Sequence, residues 1–213
     1  MKTLIAASIL GISLAAGVCM TANCSTPAFA AAGFAAPAKI GEKAPEFTLK
    51  DTEGKDVKLA DFKGKIVVLE WFNPGCPFVK KHHETLDTMT KTAAAYKDKG
   101  VVWLAVNSGS EGKQGAAAEE NAKAKKDWKI EYPILLDTKG ETGKAYGAKT
   151  TPHMFVIDKD GKLAYAGAID NNSSPKTAGE KNYVKNAVDE LLAGKKVSES
   201  ETTSYGCNVK YGK

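Results

Sequence analysis

Cysteine 76 lies where a thiol can do chemistry. The segment Glu70-Trp71-Phe72-Asn73-Pro74-Gly75-Cys76-Pro77-Phe78-Val79 directly follows the apolar run Ile66-Val67-Val68-Leu69. A run of that kind, rich in β-branched residues and ended by Pro and Gly, predicts a buried strand. Beyond Cys76, Val79, Leu86, Met89 and Tyr96 recur at helical spacing among charges, which predicts one long helix. Cys76 then falls in the first turn of that helix, where unpaired N–H groups and the helix dipole favour a thiolate. Those are the surroundings of a nucleophile rather than of a core filler.

Other reactive types stand nearby in the pattern. Glu70 is a carboxylate inside an otherwise apolar strand. Burying a charge is costly, so it is on an exposed edge, paired, or held with a raised pKa. Thr150-Thr151-Pro152 comes immediately before the apolar run Met154-Phe155-Val156-Ile157. A proline there cannot pair in a ladder; it marks a strand boundary or holds a cis bond that presents backbone beside a site. His82 and His83 are adjacent, so a helix points them about 100° apart and one at most shares the Cys76 face. His83, seven residues after Cys76, lies about 10 Å along the axis, too far for one metal to bridge the two. His153 follows Pro152, which leaves a Cys/His copper site as an alternative reading.

The N-terminus predicts export. Lys2 precedes the apolar stretch Leu4–Val18, and Ala28-Phe29-Ala30 supplies small residues at the two positions a signal peptidase reads. Cleavage is expected after Ala30, giving a periplasmic or extracellular protein. Cys19 as a lipoprotein anchor fits poorly with the preceding Ala16-Gly17-Val18. Cys19 and Cys24 leave with the signal, so Cys76 and Cys207 are the two that remain, in a compartment that permits disulfides. Two cysteines so far apart make a poor scaffold but an adequate redox pair. The net charge of +5 comes from lysines scattered among acids. Without a basic stripe interleaved with aromatics, nucleic acid is not an expected partner.

The elements that must position these groups follow in order. Residues 1–30 are the signal, 31–38 a lead-in, 39–194 one domain and 195–213 a polar tail carrying Cys207. A short hairpin is expected around Asp51-Thr52-Glu53-Gly54, then the strand near 65–72 and the long helix. A buried strand at 101–106, a Gly/Ser-rich loop at 107–114, a helix at 116–128 and a strand at 133–136 come next. A second hairpin turns at Asp158-Lys159-Asp160-Gly161, and a last helix runs from about Glu180 to a stop at Gly194. The tail is read as irregular. Strands alternating with helices and closing on a hairpin predict an α/β fold with a mixed central sheet.

Five segments together resemble the redoxin (alkyl hydroperoxide reductase/thiol-specific antioxidant) family of the thioredoxin-like superfamily. They are Ile40–Leu49, Leu59–Lys65, the Cys76 turn, Thr151-Pro152 and Asp158–Gly161, covering roughly 39–193 in the expected order. The Asn73–Lys80 segment and the tail Gly206-Cys207-Asn208-Val209-Lys210-Tyr211 resemble a peroxiredoxin-like subgroup. The resemblance implies a thioredoxin-like fold: a central mixed sheet flanked by helices, with an N-terminal hairpin extension. It also implies that Cys76 is the attacking or peroxidatic cysteine and that Pro152 is a cis-proline facing it. Glu70 takes the place of the buried acid that moves protons to or from sulfur.

The departures bear on function. Position 79 is Val, so no local Cys-x-x-Cys exists, and Leu69 and Asn73 stand where peroxiredoxins carry Pro and Thr. Asn73 can donate a hydrogen bond in place of the missing hydroxyl, and Lys80 can supply positive charge. Cys207 is the candidate resolving thiol, condensing with an oxidised Cys76 within the chain or across a homodimer. Pro77 and Thr151 complete the site surroundings. The leading expectation is an exported, peroxiredoxin-like antioxidant that reduces peroxide at Cys76 and needs a thiol reductant protein but no cofactor or metal. Thiol–disulfide exchange with a protein disulfide is the first alternative, and a non-catalytic or copper-binding thioredoxin-like protein the second.

Overall fold

A computed structural model describes residues 37–212; the expected signal peptide lies outside the described residues. The chain runs β1 (Thr48–Asp51), β2 (Asp56–Lys58), β3 (Ile66–Trp71), α1 (Pro77–Lys80), α2 (Thr88–Tyr96), β4 (Val101–Asn107) and α3 (Ala118–Asp127). It continues through β5 (Ile134–Leu136), α4 (Glu141–Tyr146), β6 (Thr150–Thr151), β7 (Met154–Ile157), β8 (Leu163–Gly167), α5 (Tyr183–Leu192) and β9 (Cys207–Asn208). Seven strands form one mixed sheet in the order β2-β1-β5-β4-β3-β7-β8, and β6 pairs with β9 separately.

β3 is central because both of its faces are apolar. All six of its residues are buried. It is flanked by β4 in parallel and β7 antiparallel. Ile66, Val68 and Phe72 join Cys76, Val79, Met89 and Val184 on one side of the sheet. Val67, Leu69 and Trp71 join Phe47, Leu104 and Phe155 on the other, as the two-residue period of a strand requires. The expected first hairpin is β1 with β2, and β1 also pairs with β5, which ties it into the main sheet. The second hairpin is β7 with β8. The last helix starts at Asn182, whose side chain accepts from Lys185 N, and ends before Gly194 at φ +71.

The single long helix expected after Cys76 is broken. α1 is one turn, Lys81–Thr85 widens into a π-turn, and α2 begins only after Asp87, at φ 54. The cause is burial of three consecutive residues, Lys81, His82 and His83. A regular helix spreads three successive side chains over about 200°, wider than the usual single buried stripe. The wider turn keeps all three inside.

Three short elements, α4 and the paired strands β6 and β9, have no counterpart in what the sequence predicts. α4 is a short helix whose first turn is held by Asp137, with Gly143 N donating to its carboxylate at 2.8 Å. The tail is not wholly irregular either, since β9 forms within it. On its way there the tail lies against β8: Ala166 N donates to Ser200 O and Thr202 N to Ala166 O.

Candidate functional site

Cys76 is the residue before α1, with extended backbone at φ −85 and ψ 124. It therefore caps the helix instead of lying in its first turn, and one turn of helix carries less dipole than the long helix expected. Pro77 opens α1, where a missing N–H costs nothing. Asn73 builds the turn: its carbonyl accepts from Cys76 N at 3.0 Å and its side-chain oxygen from Gly75 N at 2.8 Å. Its side-chain N–H donates to Gln114 O at 2.9 Å. The Gln114 loop is held in turn by Asn107 and Asn121, whose amides both donate to Gly115 O. So both the oxygen and the nitrogen of the Asn73 side chain are engaged in holding the turn and the Gln114 loop.

The Cys76 side chain is nearly covered, at 2% exposure. Its Sγ lies 2.9 Å from Thr151 O and 2.8 Å from Cys207 Sγ. The Thr151–Pro152 peptide bond is cis, as the resemblance implied. Cys207 reaches Cys76 within the same chain because β9 pairs antiparallel with β6, placing Cys207 opposite Thr151 and Asn208 opposite Thr150. Val209 N extends the pairing to Lys149 O at 3.0 Å, and Thr151 Oγ1 donates to Cys207 O at 3.4 Å. Gly206, at φ +133, allows this approach: a Cβ there would stand 2.1 Å from Thr151 O. Burial, and then the neighbouring Cys76, push the Cys207 thiol up to about 12. Cys207 therefore keeps its proton at neutral pH.

The tail has an anchor two residues before Cys207. The Tyr205 hydroxyl donates to Asp170 Oδ1 and lies 2.9 Å from His82 Nε2 and 3.4 Å from Lys81 Nζ. Lys81 also sits 3.7 Å from Asp170 Oδ2 and donates to Asn172 O at 2.7 Å. Burial draws the Lys81 pKa down against the pull of Asp170. The ring of Tyr205 stands edge-on to Phe78. At the far end of the tail the Tyr211 hydroxyl donates to Ala148 O at 2.8 Å.

Glu70 is fully buried and paired, but not with sulfur. Its Oε1 is 2.6 Å from His83 Nε2, and its Oε2 accepts from Tyr132 OH at 3.0 Å and Trp103 Nε1 at 3.3 Å. It lies on the Cys76 side of the sheet, where it ties β3 to the π-turn. A cavity of about 340 Å³, lined by Trp103, Trp128 and Tyr132 among others, borders this network and touches neither cysteine. Lys80 is exposed, and its backbone N donates to Cys76 O at 3.0 Å. His82 and His83 do diverge, one to Tyr205 and the other to Glu70, and His153 Nδ1 accepts from Lys149 N at 3.3 Å. Among the described residues no cluster of metal-ligating side chains forms.

Lys81, Asp170, Tyr205 and Asn107 were not singled out from the sequence. Lys80-Lys81-His82-His83 reads as a solvated face, and only Asp170, an acid closing the apolar Ala168-Ile169, carried a local signal.

Two buried histidines make the fold acid-sensitive. Burial, with Lys149 beside it, holds His153 down to about 4 from the ordinary 6.5, and burial with Lys81 does the same to His82. The unfolded chain takes up these protons below 6.5, while the folded chain resists until about 4. Their stabilisation is complete above pH 6.5 and is lost as the pH falls towards 4, by up to about 3 kcal/mol per group. Thermal melts across that window are expected to fall steadily. His153→Asn, which keeps an acceptor for Lys149 N, is expected to flatten part of the slope. An unchanged slope would show that His153 is not one of the groups responsible.

The model of the AhpC/TSA family matches residues 40–166. The thiol-disulfide oxidoreductase ResA of Bacillus thuringiensis subsp. konkukian is 35% identical over 128 residues, covering 59% of this chain and 67% of that protein. Among solved structures, an uncharacterized conserved protein from Geobacillus kaustophilus aligns with a TM-score of 0.73 at 32% identity. That match covers 82% of this chain and 93% of the other. A putative thiol:disulfide interchange protein DsbE from Chlorobium tepidum aligns at 0.55 and 27% identity, over 74% of this chain and 97% of its own.

Proposed function

This chain belongs to the AhpC/TSA family and has the thioredoxin-like fold, and on that premise we propose that it is an exported thiol–disulfide oxidoreductase acting on protein disulfides. The observation that carries the reading is the 2.8 Å contact between Cys76 and Cys207 on an intrachain strand pair. It supplies the two-electron dithiol that the missing Cys-x-x-Cys does not. A disulfide bond needs about 2.05 Å between sulfurs, a small further approach. Relatives named as thiol–disulfide oxidoreductases favour the same chemistry.

The cycle balances without a cofactor. The Cys76 thiolate attacks one sulfur of the partner's disulfide; that S–S bond breaks and a Cys76–partner mixed disulfide forms. The released partner thiolate takes up a proton. Cys207 then loses its proton and attacks Cys76 Sγ, and the partner departs as a dithiol, leaving a Cys76–Cys207 disulfide. A thiol reductant protein restores the dithiol by the same exchange in reverse. Thr151 and Pro152 form the wall facing the sulfur, Asn73 and Pro77 shape the turn, and Lys80 stands at its rim. Glu70 holds the strand and π-turn behind the site, in place of the direct proton transfer expected for it.

Peroxide reduction, the leading expectation from the sequence, ranks second. Asn73 is already bonded on both sides. The chain has no arginine, since all 30 residues counted as Lys+Arg are lysines. Neither an arginine nor a hydroxyl at position 73 is therefore available to hold a peroxide oxygen at the sulfur. Export rests on the first 30 residues; among those described, no helix is long and apolar enough to cross a membrane.

The deciding experiment gives the reduced protein limiting insulin, as a protein disulfide, or hydrogen peroxide in parallel, with acid quenching and peptide mapping. The Cys76–Cys207 disulfide is expected to form faster with insulin. Faster formation with peroxide would replace this reading with the peroxidase.

A further inference from the structure

The sulfur of Cys207 and the sulfur of a partner cannot occupy the same place beside Cys76. With Cys207 Sγ 2.8 Å away and Cys76 at 2% exposure, the tail already fills the approach. Any partner that forms a mixed disulfide must put its own cysteine where Cys207 now sits. The tail's contacts therefore describe the groove the partner enters. That groove has two parts. One is the backbone edge of Lys149, Thr150 and Thr151, to which Cys207, Asn208 and Val209 pair as a strand. The other is the buried cluster of Lys81, His82 and Asp170, walled by Phe78, which receives the hydroxyl of Tyr205.

This cluster is unusual for a core. Lys81, His82 and Asp170 are all almost fully buried, and Tyr205 from the tail supplies a hydroxyl to each of them. A buried charged group gains most from a partner that completes its hydrogen bonds and loses most when that partner leaves. An apolar side chain at the same place leaves the cluster short of one donor and one acceptor. The edge accepts any extended backbone, so it gives affinity with little choice. The cluster discriminates.

Resting on the exchange reading above, we propose that the tail is a built-in mimic of the partner. The groove of β6 and the Lys81–His82–Asp170 cluster binds an extended segment of a partner protein with a hydroxyl-bearing aromatic residue two positions before its reactive cysteine. Tyr205 is then a positioning residue with two effects. It seats Cys207 on Cys76, and it competes with the partner for the cluster, so its grip sets how readily the site opens. Gly206 marks a second requirement, because a Cβ next to the cysteine on this side meets Thr151 O.

The test uses full-length Cys207→Ser protein, which holds Cys76 as its one remaining site thiol. The probes are peptides copying residues 204–210 whose cysteine is carried as a thiopyridyl disulfide, with Tyr, Phe or Ala at the position of Tyr205. The thiopyridyl disulfide of glutathione is the reference. Attack by Cys76 breaks the peptide's S–S bond, forms the Cys76–peptide disulfide and releases thiopyridone, whose appearance gives the rate. The tyrosine peptide is expected to react about 10-fold faster than the alanine peptide, with phenylalanine between. Adding Tyr205→Phe, which keeps the ring but loosens the tail's hold, is expected to speed the tyrosine peptide further. Equal rates for the three peptides beside a normal glutathione reaction would overturn the inference and leave exchange intact. A slower or unchanged tyrosine peptide in the Tyr205→Phe background would also overturn it, since a merely structural tyrosine gives that result. A Cys76 that reacts with none of the probes would remove the exchange reading as well.

Discussion

Reduced Cys207→Ser protein mixed with a protein disulfide is expected to accumulate a covalent adduct through Cys76 and to stop there. In the wild type the second thiol waits 2.8 Å from the sulfur it must attack. Thiols so placed react as if at very high local concentration, and serine cannot replace them in exchange. Turnover in the presence of a reductant is expected to drop by roughly 100-fold or more, with release falling to external thiols. The order of events has a physical basis. Burial and then Cys76 raise Cys207 to about 12, so it holds its proton while Cys76 is free to attack. Once Cys76 is tied up in the mixed disulfide, its thiol no longer hydrogen-bonds Cys207 and one cause of that elevation disappears. Cys76→Ser is expected to form no adduct at all. Non-reducing gels and peptide mapping check both variants; an adduct through Cys207 in the Cys76→Ser protein would reverse the assigned roles.

The second large effect lies behind the site. Glu70→Ala is expected to destabilise the fold by about 4 kcal/mol, from a cavity at a fully buried position and the loss of acceptors for several donors. The donors left without a partner are Tyr132 OH, Trp103 Nε1 and His83 Nε2. Glu70→Gln keeps the shape and one acceptor oxygen, but turns an amide N–H towards one set of these donors. Its cost is expected to be smaller, about 1–3 kcal/mol. For a chain of this size each kcal/mol lowers the melting temperature by roughly 2–4 °C, so the two variants separate clearly in a thermal melt. If alanine costs less than about 1 kcal/mol, the carboxylate is not the anchor of β3 and the π-turn.

How far the sequence reaches differs from part to part of the molecule. Ile66–Leu69 and the apolar runs of β7 and β8 were legible because such runs are local, and each carries its own punctuation. Cys76 was legible for the same reason: Pro74, Gly75 and Pro77 mark the turn around it. Asp158–Gly161 and Gly194 likewise announced their turn and stop. The break after α1 was not, because it follows from what surrounds Lys81, His82 and His83 rather than from their own propensities. A lysine and two histidines in a row read as surface until Asp170 and Tyr205, distant in sequence, pair with Lys81 and His82, and Glu70 pairs with His83. Glu70 was legible as an acid needing a partner; that His83, Tyr132 and Trp103 are the partners was not.

By itself the sequence determined the α/β class, the resemblance that implied the family, the place of the candidate thiol and the departures around it: Val79 instead of a second cysteine, Asn73 instead of a hydroxyl, and no arginine anywhere. Only the tertiary structure decided that Cys207 meets Cys76 within one chain, that Tyr205 holds it there, and that Glu70 is bonded away from the sulfur. The reason is range. Turns, strand periods and missing residue types are written over a few consecutive positions, whereas the pairing of β6 with β9 joins residues more than fifty positions apart, and backbone hydrogen bonds of that kind leave no mark on either segment alone.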